Sequence, residues 1–466
     1  MTPLIISVSG LRGIVGESLT PEVAVRYAAA FAESLPPGAI VLTRDGRATG
    51  AMLADAVRSG LVAMGRSVID GGIAATPTTG VLVRVRQAAG GMQISASHNP
   101  APYNGLKLFS SAGRVIDAQA GERVKQRFLA AEKFAWVAHD RLGRVVASDD
   151  STAEHLQLVL ATVDVARIRQ KKFRVLLDAN HGAGSILGRK LLDALGCEAT
   201  ILGDTPDGQF AHGAEPTAEN LQTISTRVVA NKSTVGFCQD PDADRLAVID
   251  ERGRYVGEEY TLALCVDHVL RTAWGRSPDL PATDGSEIRP TTQAIVTNCS
   301  TSRMAQDLAE KYNVPFFTSA VGEANVVDAM LAHGAVFGGE GSGGPIDPRV
   351  GLVRDSFVGM ALILDAMAAR NLSISALADE LPRYEIHKTK VTLAPEKIPA
   401  ALAALEKHFA SAQVDRRDGL RLDFPKAWLL IRASNTEPIV RIIAEAATAA
   451  EARGLCDEAS SLIATS

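Results

Sequence analysis

Apolar and polar positions fall in blocks along this chain, and one arrangement of blocks recurs three times. Ala39-Ile40-Val41-Leu42-Thr43 is a short apolar run, followed by the polar Arg44-Asp45-Gly46-Arg47 and a helical pattern from about Ala51 to Met64. Phe173-Arg174-Val175-Leu176-Leu177 leads in the same way into Asp178-Ala179-Asn180-His181-Gly182-Ala183-Gly184 and a helix ending near Leu195. Gln293-Ala294-Ile295-Val296-Thr297 leads into Asn298-Cys299-Ser300-Thr301 and a helix to Lys311. A short apolar strand, a polar loop and a helix are the unit of a layered α/β domain whose sheet is covered on both faces. The pattern predicts three domains of related topology, starting near residues 1, 151 and 255. Around Arg370 to Tyr384 it changes. The tail reads as a strand (388–393), a helix (398–409), two strands (420–424 and 427–431), a loop, a strand (439–444) and a helix (449–463), a smaller α+β domain. The expected divisions are 1–150, 151–254, 255–370 and 371–466.

The beginning of the chain adds detail. Met1 to Val8 reads as a first strand, with no basic stretch ahead of an apolar segment such as a signal peptide would show. The glycine-rich span Ser9-Gly10-Leu11-Arg12-Gly13-Ile14-Val15-Gly16-Glu17 is expected to be a loop whose backbone can approach a ligand closely, with Arg12 as its cation or as a merely solvated arginine. Thr20-Pro21-Glu22 is a helix start, Thr20 capping and Pro21 at the first helical position, and the helix should run to about Leu35.

Composition narrows the classes. The chain has 466 residues, 46% of them hydrophobic, enough for about three or four domains with ample core. The formal net charge of −5 carries none of the basic excess of a nucleic-acid binder. No apolar run reaches membrane-spanning length, so no membrane partner is expected. Cys197, Cys238, Cys265, Cys299 and Cys456 are scattered, odd in number and form no CxxC. Free thiols in a reducing cytoplasm are the expectation, and no zinc site.

Chemistry concentrates in four loops. Gly90 and Gly91 open an apolar strand running to Ala96. Ser97-His98-Asn99-Pro100 then form a tip, and Pro100, Pro102 and Asn104-Gly105 force a tight loop before a returning strand through Lys107. A polar hairpin turn would look much the same, but Ser97 and His98 at the tip can meet a ligand. Asp240-Pro241-Asp242-Ala243-Asp244-Arg245 sets three carboxylates at i, i+2 and i+4, on one side of an extended backbone. Such oxygen-only ligands suit Mg²⁺, against the bland reading of a solvated acidic turn. A calcium EF-hand fails, because its sixth position would be Arg245 where glycine is needed, and a strand follows. Gly339, Gly341 and Gly344 satisfy G-x-G-x-x-G, yet Pro345 and Pro348 leave no helix to receive a pyrophosphate. A loop presenting Glu340 and Ser342 to a vicinal pair of sugar hydroxyls is the better reading, with a plain glycine linker as the alternative. Arg432-Ala433-Ser434-Asn435-Thr436-Glu437-Pro438 offers a guanidinium, two hydroxyls and an amide, the donors a phosphate wants, in what is otherwise a polar hairpin. No Walker A motif occurs.

These four loops, in this order along the whole chain, resemble those of the α-D-phosphohexomutase family. The likeness implies four domains around a central cleft, three alike and a distinct fourth. It implies that Ser97 carries a phosphoryl group, and that Mg²⁺ is held by that group with Asp240, Asp242 and Asp244. Phosphate then moves between O1 and O6 of a hexose through a bisphosphosugar, with a hexose 1,6-bisphosphate as activator. Lys107 and Arg12 are implied as acid/base or charge-stabilising groups, Arg245 as a charge stabiliser and His98 as an orienting group. Glu340 and Ser342 are implied in reading the sugar, and Arg432, Ser434, Asn435 and Thr436 in gripping the non-reacting phosphate. Two positions depart from the family pattern: Gly344 stands where many members have histidine, and Ala320 where many have lysine. The opening around Arg12, the double glycine and Arg354-Asp355 resemble archaeal-type phosphoglucosamine mutases, while Arg432-Ala433-Ser434-Asn435 resembles phosphomannomutase/phosphoglucomutase members. The expectation is a cytoplasmic phosphohexomutase, monomer or homodimer, leaning to glucosamine phosphate. A sugar-phosphate-binding protein without catalysis is the rival class, and a phosphatase using the same aspartates ranks last.

Overall fold

The computed structural model describes residues 3–7, 10–130, 133–274, 293–433 and 439–465. Four sheets form within them. The first has seven strands in the order Ile5–Ser7, Gly10–Ile14, Tyr103–Ser110, Gly90–Ile94, Ile40–Arg44, Val68–Ile73 and Val145–Ala147. The second runs Leu246–Asp250, Val235–Gln239, Arg174–Asp178, Glu198–Leu202, and the third Phe316–Ser319, Ala294–Asn298, Ala335–Glu340, Gly344–Ile346. The last sheet is antiparallel, in the order Glu385–Thr392, Ile439–Ala446, Ala427–Ala433, Leu420–Phe424, Gln413–Asp415.

The three repeats share more than their first strands. In each, a central strand (Ile40–Arg44, Arg174–Asp178 or Ala294–Asn298) pairs in parallel with a neighbour on both sides. One neighbour then turns through a hairpin into an antiparallel strand. The three hairpins are residues 95–102, 240–245 and 341–343. The serine loop, the acidic loop and the glycine loop therefore occupy one equivalent place in three repeats, beyond the carboxyl end of a parallel strand, where open α/β sheets bind their ligands. The central strands also end alike. Asp45, Asp178 and Asn298 each accept from the backbone N–H two residues on, at 2.9, 3.2 and 2.9 Å. Their short side chains can close this turn without a second strand.

The core that joins the second and third repeats is built on the helices Glu258–Trp274 and Ser356–Arg370. The latter is buried from Ser356 to Ala368, because it is apolar around its whole circumference rather than on one stripe. Asp355 caps it, accepting from Phe357 N at 2.9 Å and Val358 N at 3.3 Å. The other Asp355 oxygen meets His155 Nε2 at 2.6 Å, and His155 Nδ1 meets Thr78 Oγ1 at 2.9 Å, so one buried chain of polar groups locks three repeats together.

Several expectations need correction. The Arg12 segment is a strand, Gly10–Ile14, not a loop. Gly10 and Gly105 serve close strand contact: a Cβ on Gly105 would lie 2.6 Å from Leu11 O and 2.7 Å from Ser95 O. Asn104-Gly105 accordingly sits inside the returning strand Tyr103–Ser110 rather than in the turn. The acidic loop is not extended. Asp242 and Asp244 converge because the chain turns tightly, with Ala243 at φ 55°. The strand Gln413–Asp415 went unforeseen. The Thr20 cap is as expected, accepting from Val23 N at 3.3 Å over a helix Pro21–Ser34.

Candidate active site

Ser97 is 3% exposed and left-handed, at φ 49°. A side chain in that region costs about 1–2 kcal/mol, so something must hold it there. The backbone N–H of Ser97 donates to Ser95 Oγ at 2.9 Å, and Ser95 Oγ donates to Asp45 Oδ2 at 2.7 Å. Arg47, buried and paired through Nε with Asp45 at 3.2 Å, gathers the loop's carbonyls. Nη2 donates to Ser97 O and Asn99 O, both at 2.6 Å, and Nη1 to Pro100 O at 2.9 Å and Tyr103 O at 3.0 Å. Phe210 of the second repeat lies with its ring centre 5.0 Å from the Arg47 guanidinium. The loop is thereby clamped from behind, and its hydroxyl faces forward. Ser97 Oγ is 3.0 Å from Asp240 Oδ2 and 3.2 Å from His98 Nδ1.

The acidic turn closes the other side. Asp240, Asp242 and Asp244 are fully buried, with ligand oxygens all within 4.8 Å of one another. Thr76 of the first repeat fixes the turn, giving Oγ1 to Asp242 Oδ2 at 2.6 Å and its N–H to Asp242 O at 2.9 Å. Lys107 Nζ lies between two of the acids, 2.5 Å from Asp242 Oδ2 and 3.0 Å from Asp244 Oδ2. Burial alone would suppress its charge, but Asp242 and Asp244 outweigh that and hold it above the usual lysine range. Reciprocally, burial opposes ionisation of Asp242 and Asp244, yet Lys107 and hydrogen bonds from Asp240 and Thr76 keep Asp242 below the usual carboxylate range, and Arg354 and Lys107 keep Asp244 below it. Asp240 goes the other way: burial, then the charges of Asp242 and Asp244, push it well up. Burial, with Arg245 and Arg12 nearby, pulls His98 down to about 3, so its imidazole is neutral at physiological pH. Arg245 Nη1 meets Glu215 at 3.2 Å, while its buried Nε makes no hydrogen bond and lies 4.0 Å from Asp244 Oδ1.

A divalent cation fits this donor set. Asp242 Oδ1 and Asp244 Oδ1 are buried with no hydrogen-bond partner, and an unpaired buried carboxylate oxygen is costly. Three oxygen donors without sulfur or imidazole match Mg²⁺ and leave positions for a phosphate.

The glycine hairpin meets the acidic turn through Arg354. Its Nη2 lies 2.8 Å from Asp244 Oδ2, its Nη1 2.8 Å from Glu340 Oε2 and its Nε 2.8 Å from Glu323 Oε2. Glu340 Oε1 accepts from Asn298 Nδ2 at 2.7 Å and from Gly322 N at 3.1 Å. Three of the roughly four acceptor positions of Glu340 are thus taken, which leaves room for one hydroxyl. Glu340 ends the strand Ala335–Glu340 and is buried rather than displayed on a flexible loop; Ser342, in the turn, is half-buried. No helix follows the glycines; Gly344–Ile346 is a strand, as the prolines required. Arg432 pairs with Asp418 (3.3 Å from Nε, 3.2 Å from Nη2), and Asp418 also accepts from Val321 N at 2.9 Å. Ser434, Asn435 and Thr436 lie outside the described residues.

The structure thus brings Ser97, His98, Lys107, Asp240, Asp242, Asp244 and Arg245 together, with Arg12 felt electrostatically by Asp242 and Asp244. Arg354 ties in Glu340. Arg47, Thr76 and Glu323 were missed from the sequence, and Arg354 was noted there only for its likeness. Buried charges in polar loops look like solvated ones until their partners, often more than 100 residues away, are known.

Comparison with known proteins agrees over the whole length. Residues 4–135, 153–253 and 258–384 match the models of phosphoglucomutase/phosphomannomutase α/β/α domains I, II and III, and residues 389–461 match that family's C-terminal domain. A protein of Thermococcus kodakarensis described as phosphoglucomutase/phosphomannomutase is 35% identical over 95% of both chains. A phosphoglucosamine/phosphogalactosamine mutase of Sulfurisphaera tokodaii is 32% identical over 97% of this chain and 98% of its own. A phosphoglucomutase/phosphomannomutase family protein of Burkholderia thailandensis superposes with a TM-score of 0.84 at 26% identity, covering 99% of this chain and 97% of that one. With four family domains in sequence and relatives matched end to end, the chain belongs to the phosphoglucomutase/phosphomannomutase family, the α-D-phosphohexomutases, and is an intramolecular phosphotransferase.

Proposed function

We propose that this phosphohexomutase interconverts glucosamine 1-phosphate and glucosamine 6-phosphate, with Ser97 as the phosphoryl carrier. The observation that carries the reading is the Ser97 hydroxyl, clamped in a left-handed turn and aimed at an aspartate triad of which two buried oxygens accept no hydrogen bond. In the forward step the bond between phosphorus and Ser97 Oγ breaks and a bond to a sugar hydroxyl oxygen forms. The hydroxyl proton leaves the sugar and Oγ regains one. The resulting hexose 1,6-bisphosphate turns over in the cleft and returns its other phosphoryl group to Ser97. Positioning and charge stabilisation do most of this work.

Each residue takes a part of it. Lys107, held protonated, and Arg245 and Arg12 neutralise the transferring oxygens. His98, neutral, orients Oγ without adding charge. Glu340 takes one sugar hydroxyl and Ser342 a neighbouring one. Arg432, with Ser434, Asn435 and Thr436, grips the phosphate that does not react, in either orientation of the intermediate. Asp240, Asp242 and Asp244 would hold Mg²⁺, which when bound supplies positive charge against the phosphoryl oxygens. A hexose 1,6-bisphosphate primes Ser97. The five free cysteines favour a cytoplasmic location, and we expect a monomer or homodimer. Among the described residues no helix is long and apolar enough to cross a membrane.

The glucosamine preference leans on the Sulfurisphaera relative's name, and the Thermococcus relative's name favours glucose or mannose phosphate as a second reading. Turnover of the 1-phosphates of glucosamine, N-acetylglucosamine, glucose and mannose, each with a bisphosphate activator, separates them. Intact mass should find one added phosphate, on Ser97. A protein that stays unphosphorylated under bisphosphate while turning over substrate would overturn the covalent route.

A further inference from the structure

Gly344 has no room for a side chain because of Arg354. A Cβ there would lie 2.9 Å from Arg354 Cβ, 2.8 Å from its Cγ and closer still to its Cδ. The arginine stem therefore occupies the slot beside residue 344. The slot is built from both sides: Asp355 N donates to Pro345 O at 2.8 Å, which fixes the backbone of residue 354 alongside the hairpin. From there the guanidinium, with a side chain only 12% exposed, spends all three of its nitrogens on carboxylates from three separate places. Asp244 comes from the acidic turn, Glu340 from the glycine hairpin and Glu323 from the start of the helix Glu323–His333. Nothing else among the described residues joins the acidic turn to Glu340 so directly.

We propose that Arg354 is a positioning residue for sugar recognition: it aims the Glu340 carboxylate and holds it in register with the acidic turn, and Gly344 exists to admit it. The reading rests on the function proposed above. With Oε1 fixed by Asn298 and Gly322, the Arg354 contact sets the rotation of the carboxylate and leaves one lone pair of Oε2 for a hydroxyl. A lysine cannot replace it, because a single ammonium on a flexible stem cannot reach three carboxylates in the fixed fork of a guanidinium.

The test compares the wild-type protein with Arg354→Lys, Arg354→Gln, Glu340→Gln and the Arg354→Gln/Glu340→Gln double variant. Kinetic constants for the preferred hexose phosphate are read together with Ser97 phosphorylation by intact mass. Both Arg354 variants should raise KM by at least about tenfold while still accepting phosphate from the bisphosphate, and the double variant should be no worse than about threefold beyond the poorer single one, since the two residues act through one contact. A wild-type KM in Arg354→Lys, strictly multiplicative losses, or an Arg354→Lys protein that no longer takes phosphate on Ser97 would each overturn the proposal. A second arm reads the slot without any substrate. Gly344→Ala should lower the melting temperature of the wild-type protein by more than that of Arg354→Ala, where Cγ and Cδ are gone and only the Cβ at 2.9 Å still presses on the new methyl; equal losses in both backgrounds would refute the packing. If the wild-type protein neither binds nor converts any hexose phosphate, the proposed function falls instead, and the melting arm still decides whether Arg354 fills the slot.

Discussion

Replacing Arg47 by methionine removes the clamp behind the serine loop while keeping a side chain of similar length. Four carbonyls, of Ser97, Asn99, Pro100 and Tyr103, lose the guanidinium donor, and the wholly buried Asp45 carboxylate loses its ion-pair partner. Removing one partner of a buried pair costs about 3–5 kcal/mol, because the remaining charge is stranded. Some of the carbonyls can turn to water once the loop loosens, so that range stands for the whole lesion rather than adding to a sum over bonds. The contact with the Phe210 ring, worth up to about 2 kcal/mol when desolvated, is lost as well. The catalytic effect follows from backbone preference. Released from its tether, Ser97 gains about 1–2 kcal/mol by leaving the left-handed region, and the loop has every reason to relax. A displacement of the nucleophile by about 1 Å is worth roughly 10² in rate. The assay is the single-turnover rate of phosphoryl transfer from bisphosphosugar to Ser97, alongside denaturant unfolding and cation binding by calorimetry. Transfer should slow by roughly 10²-fold with cation affinity within about threefold of wild type, since Arg47 touches none of the three aspartates. In Arg47→Ala, millimolar guanidinium should restore part of the rate where an equal ionic strength of ammonium does not. A methionine variant as stable as wild type and transferring phosphate at the wild-type rate would refute the clamp.

Three further outcomes are expected. Ser97→Ala should stay folded and lose turnover by about 10³-fold or more, with no phosphate found by intact mass; retained turnover would remove the serine from the reaction. Asp242→Asn leaves Lys107 with one fewer anion and the acidic turn with one fewer donor, so calorimetric Mg²⁺ binding and activity should fall together, and full activity in excess chelator would argue against the ion. Burial pushes the Glu259 carboxyl up from 4.5 to about 7, against the opposing pull of Lys388. Below pH 4.5 it is protonated folded or unfolded. Between pH 4.5 and 7 the unfolded chain ionises first, so this group's contribution to stability is lost as pH rises, and above 7 the deficit is constant. Glu259→Gln should therefore match wild type at pH 4.5 and exceed it at pH 8 by on the order of 1–3 kcal/mol in denaturant unfolding; equal stability at both pH values would mean the carboxyl is not strained.

How much of this could be read from the sequence depends on whether the physics is local. The strand–loop–helix blocks were legible because apolar burial on both faces of a parallel sheet writes itself directly into composition. Thr20-Pro21 marked a helix start because capping needs only neighbours. The serine and acidic loops stood out through proline, glycine and like charges set close together. Contacts that close across the chain left no local trace. Gly10 and Gly105 suggested a loop, yet they are needed where two strands approach too closely for a Cβ, and the same residue type serves both ends. Alternating aspartates suggested an extended backbone, and the turn at Ala243 brings them together differently. Arg47 drew no functional reading and Arg354 only a family likeness, because partners such as Ser97 and Asp244 stand 50 and 110 residues away in the chain.

The placement of the chemistry follows from repetition. A parallel strand that hands over to an antiparallel partner exposes a short hairpin at the carboxyl end of the sheet, and the fold offers this place three times. No single hairpin could do the reaction: a serine without a cation site has nothing to offset phosphoryl charge, and three aspartates alone repel. Set against each other, each supplies what the others lack. The strand returning from the serine loop brings Lys107 to two of the acids, the acidic turn returns Asp240 to the serine hydroxyl, and Arg354 carries the third hairpin's glutamate to the second's aspartate. The opposite charges that make the site chemically useful are the same ones that hold the three repeats in register. Substitutions at these positions should therefore seldom separate cleanly into catalytic and structural ones, and a loss of rate at one hairpin should be accompanied by looser packing at the next.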